Sequence, residues 1–182
     1  FVLAVALLVT ETLGNANLPH SEERLAELML YTELMKACMR AAEADARPDA
    51  WGVMCPAQLP AEITRNLFMT AYPRMVEILQ LLGSSSFMII PSEADFGSPL
   101  APEIEQYLAT DTTAARDRVK LFRLAWDIAC SAFAGRQVLY ERFFASDPLS
   151  RARGLNAIYP KEELMERVRE FLRQAEPPQL LA

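Results

Sequence analysis

"FRLAWDIACSAFAGRQVLYERFFASDP", residues 122–148, is the stretch whose reading decides the fold. It is mostly apolar, yet it carries Asp127, Arg136 and Tyr140 along its length and Glu141 and Arg142 near its end. A surface helix needs only one apolar stripe. Here Phe122, Trp126, Cys130, Phe133 and Val138 alternate with the small residues Ala125, Ala129, Ala132 and Ala134. Small residues let helices approach closely, so the pattern predicts a central helix with neighbours on several sides. Read outward, the helix extends from Thr113 to Ala145, roughly 30 residues or about 45 Å, and Asp147 and Pro148 close it. Arg136 and Tyr140 are four apart and share a face. Asp127 and Arg136, nine apart, do not, and the expectation for them is ion pairs between helices or between subunits.

The rest of the chain follows the same period. Residues 1–14 read as a helix ending near Gly14, and Asn15 to Pro19 as a turn. Ser21 is expected to cap a long helix whose apolar face runs from Leu25 to about Ala46, with Pro48 as its stop. A loop from Arg47 to Pro60 is long enough to suggest more than a connection. Ala61 to Leu82 returns to helix, with Pro73 expected to kink or split it and Gly83 to end it. A second long loop spans Gly83 to Pro99. Ala101 to Thr110 reads as a short helix, Glu162 to Gln174 as a final amphipathic one, and the tail from Glu176 as frayed. "SFMII", residues 86–90, is the only β-like run. The class is therefore all-α, an up-down four-helix bundle with short extra helices, over a single unit, 1–182.

Composition bounds the function. With 18 basic against 24 acidic residues, the formal net charge is −6, which argues against a nucleic-acid surface. Cys38, Cys55 and Cys130 are odd in number and irregular in spacing, so they give no disulfide framework, and Cys38 and Cys130, in helical patterns, read as buried free thiols. One histidine, His20, and no Cys-x-x-Cys make a zinc site unexpected. A reducing cytoplasm is the simplest compartment. The opening run "FVLAVALLV", residues 1–9, has no basic flank and is too short to span a bilayer. It reads as the interior of a helix in a longer protein.

No phosphate-binding loop, nucleophile elbow or metal motif occurs. Glu93 and Asp95 in "PSEADF" could form an acid–base pair, against a plainer reading in which Ser92 and Asp95 bond the loop backbone. Gly83 to Ser86 follows a helix end and offers backbone N–H groups and three hydroxyls, a combination that can hold a pyrophosphate or a ribose.

Three stretches carry a family resemblance. "LFRLAWDIACSAFAGRQVLYERFF" (121–144) followed by "SDP", "YPRMVEILQLLGSSSFMIIPSEADF" (72–96) and "LAELMLYTELMKACMRAAEADA" (25–46) resemble the oxygenase component of the 4-hydroxyphenylacetate 3-hydroxylase family. These are two-component, reduced-flavin-dependent phenol monooxygenases. The resemblance covers nearly the whole chain. It implies an acyl-CoA-dehydrogenase-like architecture in which a helical domain and a β-barrel domain precede a C-terminal helical bundle, this chain being the bundle. It implies FAD, reduced by a separate flavin reductase, a phenol hydroxylated ortho to its hydroxyl, and a homo-oligomer, a tetramer. Neither a nucleic acid nor a membrane is implied.

In that family the groups around the reacting centre lie mainly in the first two domains, so no catalytic residue is expected in this chain. The resemblance implies that Gln80, Gly83, Ser84, Ser85 and Ser86 contact the ADP portion of FAD. It gives Ser92 and Asp95 a place along the flavin or substrate cavity, with Arg136 and Tyr140 as further members. Relatives are richer in glycine at the turn. If one of these serines takes a left-handed conformation, the cost is on the order of 1 kcal/mol. Two other readings compete: a non-catalytic helical oligomerisation module, and an acyl-CoA dehydrogenase bundle. The second is disfavoured because the loop after the turn lacks that family's Arg-Asp run and glutamate base region.

Overall fold

The apolar opening folds as helix α1 (Val2–Thr12), which buries Val5, Ala6, Val9 and Thr10. Thr10 is fully buried yet satisfied, since its hydroxyl reaches the carbonyls of Ala6 and Leu7 at 3.1 and 2.9 Å. Gly14 then takes φ +68°, a left-handed conformation that favours glycine. A computed structural model of the chain describes residues 1–174. The expected fraying from Glu176 lies outside them.

Helix α2 (Pro19–Ala44) starts two residues before the expected cap. Pro19 sits in its first turn, where a missing N–H costs nothing, and Leu18 is the N-cap. Ser21 lies inside that turn, fully buried, its hydroxyl without a partner among the described residues. The expected loop after α2 is a small hairpin, β1 (Arg47–Pro48) antiparallel to β2 (Met54–Cys55), with Arg47 opposite Cys55. Asp49 builds its tip by accepting from the N–H groups of Trp51 and Val53 at 2.8 and 2.9 Å. Two-residue strands are too short to show alternation, which is why the sequence reads there as loop.

Helix α3 (Gln58–Gly83) is the axis of the domain. It starts three residues earlier than expected and contains Pro73 without being split. It packs against α1 and α2, and against the three helices that follow the next loop, α5 (Ala115–Ala129), α6 (Ala132–Phe143) and α7 (Pro148–Ile158). Its second half supplies Met75, Val76, Ile78, Leu79 and Leu82 to the main core. Val5, Ala6, Val9, Leu25, Leu28, Phe87, Phe122, Ala125 and Ala129 complete that core. Burying one such large side chain contributes roughly 1.5–3 kcal/mol. The central element is therefore α3 and not the stretch 113–145.

That stretch is two helices. α5 buries Ala115, Val119, Phe122, Ala125 and Ala129, whereas α6 buries only Ala134. Trp126 and Phe133, two of the large residues in the alternating pattern, are exposed. The chain turns at Cys130 and Ser131, where Ser131 is extended (φ −74°, ψ 167°). Its hydroxyl accepts from the Ala134 N–H at 3.1 Å and donates to the Asp127 carbonyl at 2.9 Å. Across the interface Gln80 Nε2 donates to the Ala129 carbonyl at 2.5 Å. These bonds serve groups that a broken helix leaves without partners.

Between α3 and α5 the chain forms 3₁₀ turns at Ser84–Phe87 and Asp95–Gly97 and the short helix α4 (Ala101–Leu108). "SFMII" is turn and not strand, because Phe87 dives into the core while Met88 and Ile89 face solvent. Phe96, Ala115 and Val119 make a small second core beneath this loop. Helix α7 is absent from the sequence reading. Asp147 caps it, accepting from the Ser150 N–H at 3.0 Å, and Pro148 opens it. The last helix, α8 (Lys161–Gln174), begins one residue before its expected start.

The three cysteines are free and half-buried, not fully buried. Among the described residues no helix is long and apolar enough to cross a membrane.

Candidate functional site

The turn after α3 is shaped by one clash. A Cβ on Gly83 would lie 2.1 Å from the Phe87 ring, so this position must be glycine for Phe87 to fold under the helix end. Ser84 then takes φ +47°, which L residues rarely adopt. Its N–H caps α3 by donating to the Gln80 carbonyl. Ser84 and Ser85 are exposed and Ser86 half-buried. None of the three hydroxyls is tied to another group among the described residues. Gln80, by contrast, spends its amide N–H on the Ala129 carbonyl.

The loop 91–97 lies next to this turn. Asp95 Oδ2 accepts from the Ser92 N–H and hydroxyl at 2.6 and 2.7 Å. These bonds, the hydroxyl first, hold the Asp95 carboxyl below its usual range, and the nearby Arg123 guanidinium adds to the effect. Glu93 is paired elsewhere, with Arg116 at 2.9 Å. The two carboxylates thus have separate partners, and Asp95 closes the loop as the plainer reading expects. Arg123 is anchored on the Pro91 carbonyl.

Arg123, Trp126 and Asp127 of α5 and Phe87, Met88 and Ile90 of the loop line an open pocket of about 260 Å³ that begins at Phe87, the residue after the serines. The serines do not line it, and Ser86 faces a separate small pocket with Arg118 and Phe122. Sequence reasoning used Trp126 only as part of the apolar pattern, named Asp127 only as an ion-pair candidate, and passed over Arg123. Arg123 with Trp126 and Asp127, three and four residues on, was the signal available: a guanidinium, an indole and a carboxylate on one helical face. Chemically the cavity offers an aromatic surface for stacking, a cation, an acceptor and, next door, free hydroxyls. That set fits the nucleotide half of a dinucleotide.

Arg136 and Tyr140 are placed elsewhere. Both are exposed on α6, and Tyr140 stacks on Phe144 with ring centres 4.8 Å apart. The neighbouring Glu141 is close enough to Tyr72 to raise that phenol, after burial has done most of the raising. Tyr140 is therefore level with the middle of α3, about 16 Å along the helix from Gly83. Within one chain these two residues do not join the serine turn. Asp127 and Arg136 have no ion-pair partner among the described residues.

Comparison with known proteins gives a consistent result. The family model described as "4-hydroxyphenylacetate 3-hydroxylase C terminal" matches residues 1–173. The 4-hydroxyphenylacetate 3-monooxygenase oxygenase component of Thermus thermophilus is 42% identical over 173 residues, which are 95% of this chain and 36% of that protein. A probable 4-hydroxyphenylacetate 3-monooxygenase of Bacillus subtilis is 38% identical over 94% of this chain and 36% of its own length. The chain thus spans about 36% of the length of these relatives. A crystal structure of such an oxygenase component complexed with FAD superposes with a TM-score of 0.91, at 41% identity, over 96% of this chain and 37% of the other. An archaeal 4-hydroxybutyryl-CoA dehydratase shares the fold alone, at TM-score 0.80 and 17% identity.

Proposed function

This chain belongs to the 4-hydroxyphenylacetate 3-hydroxylase C-terminal family, and from that premise we propose that it is the helical bundle of a reduced-flavin-dependent phenol ortho-hydroxylase, the oxygenase component of a two-component system. Its part is to hold FAD and to build the oligomer. The observation that carries the reading is the pocket of Arg123, Trp126 and Asp127, which begins at Phe87, next in sequence to the untied hydroxyls of Ser84 to Ser86. A related crystal structure, 41% identical over 96% of this chain, contains FAD.

FAD, when bound and reduced, supplies the oxygen activation. Ser84, Ser85 and Ser86 donate to phosphate or ribose oxygens. Gly83 allows the tight turn that brings the serines to the helix end. Trp126 offers its indole to the adenine, and Arg123 brings positive charge towards the phosphates. Asp95 shapes the loop through Ser92 and holds no proton for the chemistry at neutral pH, because its carboxyl is held low. Gln80 acts on the cavity indirectly, by fixing the end of α5. Arg136 and Tyr140 reach a flavin only where a second copy brings them to it. No catalytic residue is assigned to this chain. The helical and β-barrel domains implied by the family resemblance surround the reacting oxygen and the phenol.

The partners follow: a flavin reductase, a phenolic substrate and other copies of this chain, a tetramer in the cytoplasm. Counting α5 and α6 as one broken rod, the bundle has four, with α1, α2 and α3 as the others. Exposed Leu30 and Leu34 on α2, and Phe133 and Tyr140 on α6, support an assembly in which these faces are covered.

The test uses the complete protein. With Ser85→Ala/Ser86→Ala, and separately with Trp126→Leu, the Kd for reduced FAD rises at least tenfold while phenol binding is unchanged. Chemically reduced FAD sustains one turnover without the reductase, and acyl-CoA thioesters are inert. FAD binding that both variants leave intact would overturn the assignment of this cavity.

A further inference from the structure

We propose that α8 is an exchange arm, docking its apolar face on the exposed α6 face of a second copy of this chain. Helix α8 has no extensive packing against any other element of its own chain among the described residues, and only its first residue, Lys161, comes near α3 and α7. Even so, it carries a continuous apolar stripe: Leu164, Met165, Val168, Phe171 and Leu172, exposed by 44 to 68%. Their spacing of one, three and four residues puts all five on one side of the helix. The opposite side pairs most of its charges within the helix. Arg167 pairs with Glu163, Arg169 with Glu162 and Glu166, and Arg173 with Glu166, at 2.6 to 3.1 Å. An isolated 14-residue helix is marginal in water even with such pairs, so its apolar stripe needs a cover.

Three observations favour a second copy as that cover. The first is complementarity. α6 leaves Phe133, Leu139, Tyr140, Phe143 and Phe144 exposed, so each copy offers one apolar arm and one bare aromatic face. Reciprocal exchange between two copies satisfies both and closes on itself. The second is area. At roughly 80 Å² for each large side chain, five cover about 400 Å². With the surface they meet, one docked arm removes about 800 Å² and a reciprocal pair about 1,600 Å², the size of a stable interface. The third is charge. α8 holds four acids (Glu162, Glu163, Glu166, Glu170) and four bases (Lys161, Arg167, Arg169, Arg173), so it is neutral on a chain of net charge −6. It approaches a like-charged copy without the repulsion the rest of the surface carries.

The inference rests on the oligomer reading above and names the element that carries it. The test is made on the complete protein. Val168→Glu/Phe171→Glu is expected to weaken self-association at least tenfold by sedimentation or light scattering. The Tm of the dissociated copies stays unchanged and any loss of helix is confined to α8, because Val168 and Phe171 face solvent within their own chain. In mixed copies, one isotopically labelled, a photoreactive phenylalanine analogue at position 171 cross-links to α6 of the other copy. A variant that keeps the wild-type mass overturns the arm and leaves the oligomer standing. A monomeric wild type overturns both. Cross-links confined to one copy, or to an unrelated protein, overturn the arm as well.

Discussion

Gly83 and Ser84 stand side by side with opposite relations to their conformations. Gly83 has an ordinary helical backbone but no room for a methyl group, whose carbon would lie 2.1 Å from the Phe87 ring. Ser84 has room but an unfavourable φ of +47°. Gly83→Ala is therefore expected to destabilise the protein by about 1–3 kcal/mol, the range for overpacking a core. Ser84→Gly is expected to stabilise it by about 1 kcal/mol. Urea titration of both variants checks the pair, and equal effects in the same direction would contradict this account. Sequence reading placed Gly83 at the helix end and anticipated the cost of a left-handed serine in the turn. The cause of the glycine was hidden, because it depends on Phe87 folding back under the helix, and "SFMII" read as β-like.

At the scale of elements, the division of 113–145 into α5 and α6 is held by two side chains. Ser131→Ala removes the cap of α6 and is expected to cost about 1 kcal/mol. Gln80→Leu leaves the Ala129 carbonyl without its side-chain donor and is expected to cost about 1–2 kcal/mol. Both serve one junction, so the double variant should cost less than the sum by more than about 0.5 kcal/mol. Strict additivity in thermal melts would show that the two bonds act independently. Apolar spacing could not reveal this break, since the period continues across Cys130. Ser131 was a cap signal, but a serine inside a helical pattern is common enough that only its two hydrogen bonds decide the matter. The same holds for α7: Asp147 and Pro148 read as a stop, and they are equally a start.

Across the whole molecule, α2 and α3 are joined by a polar clasp as well as by the core. Arg74 grips Glu27 through two bonds of 2.8 Å, and Tyr31 donates to the same carboxylate at 3.0 Å. The Arg74 bond first, and the Tyr31 bond with it, hold the Glu27 carboxyl below its ordinary 4.5. A carboxyl that is more acidic in the folded chain stabilises it above the unfolded value. That contribution fades as pH falls through the lowered folded value. Both side chains are partly in water, so the pair is worth about 1 kcal/mol at neutral pH. Arg74→Met should show that deficit in chemical unfolding at about pH 7 and lose it progressively as pH falls below the ordinary 4.5 and through the lowered folded value. A deficit that does not change with pH would remove the pair from the account.

Most of the α-helical frame was legible in the sequence because apolar periodicity reports burial directly. The identity of the central helix was not, because centrality depends on which neighbours arrive. The candidate cavity was half legible. Its turn announced itself through Gly83 and the serines, whereas Arg123 and Trp126 join it only once α5 lies against the loop. Over generations, the junction at residues 130–131 also loosens a constraint on the family. Within an unbroken helix a single inserted residue rotates everything after it by about 100° and carries a buried stripe into water. At this junction an insertion or deletion re-aims the outward face of α6 while Val119 to Ala129 stay seated. A lineage can thus alter what it assembles with and keep the interior it folds around.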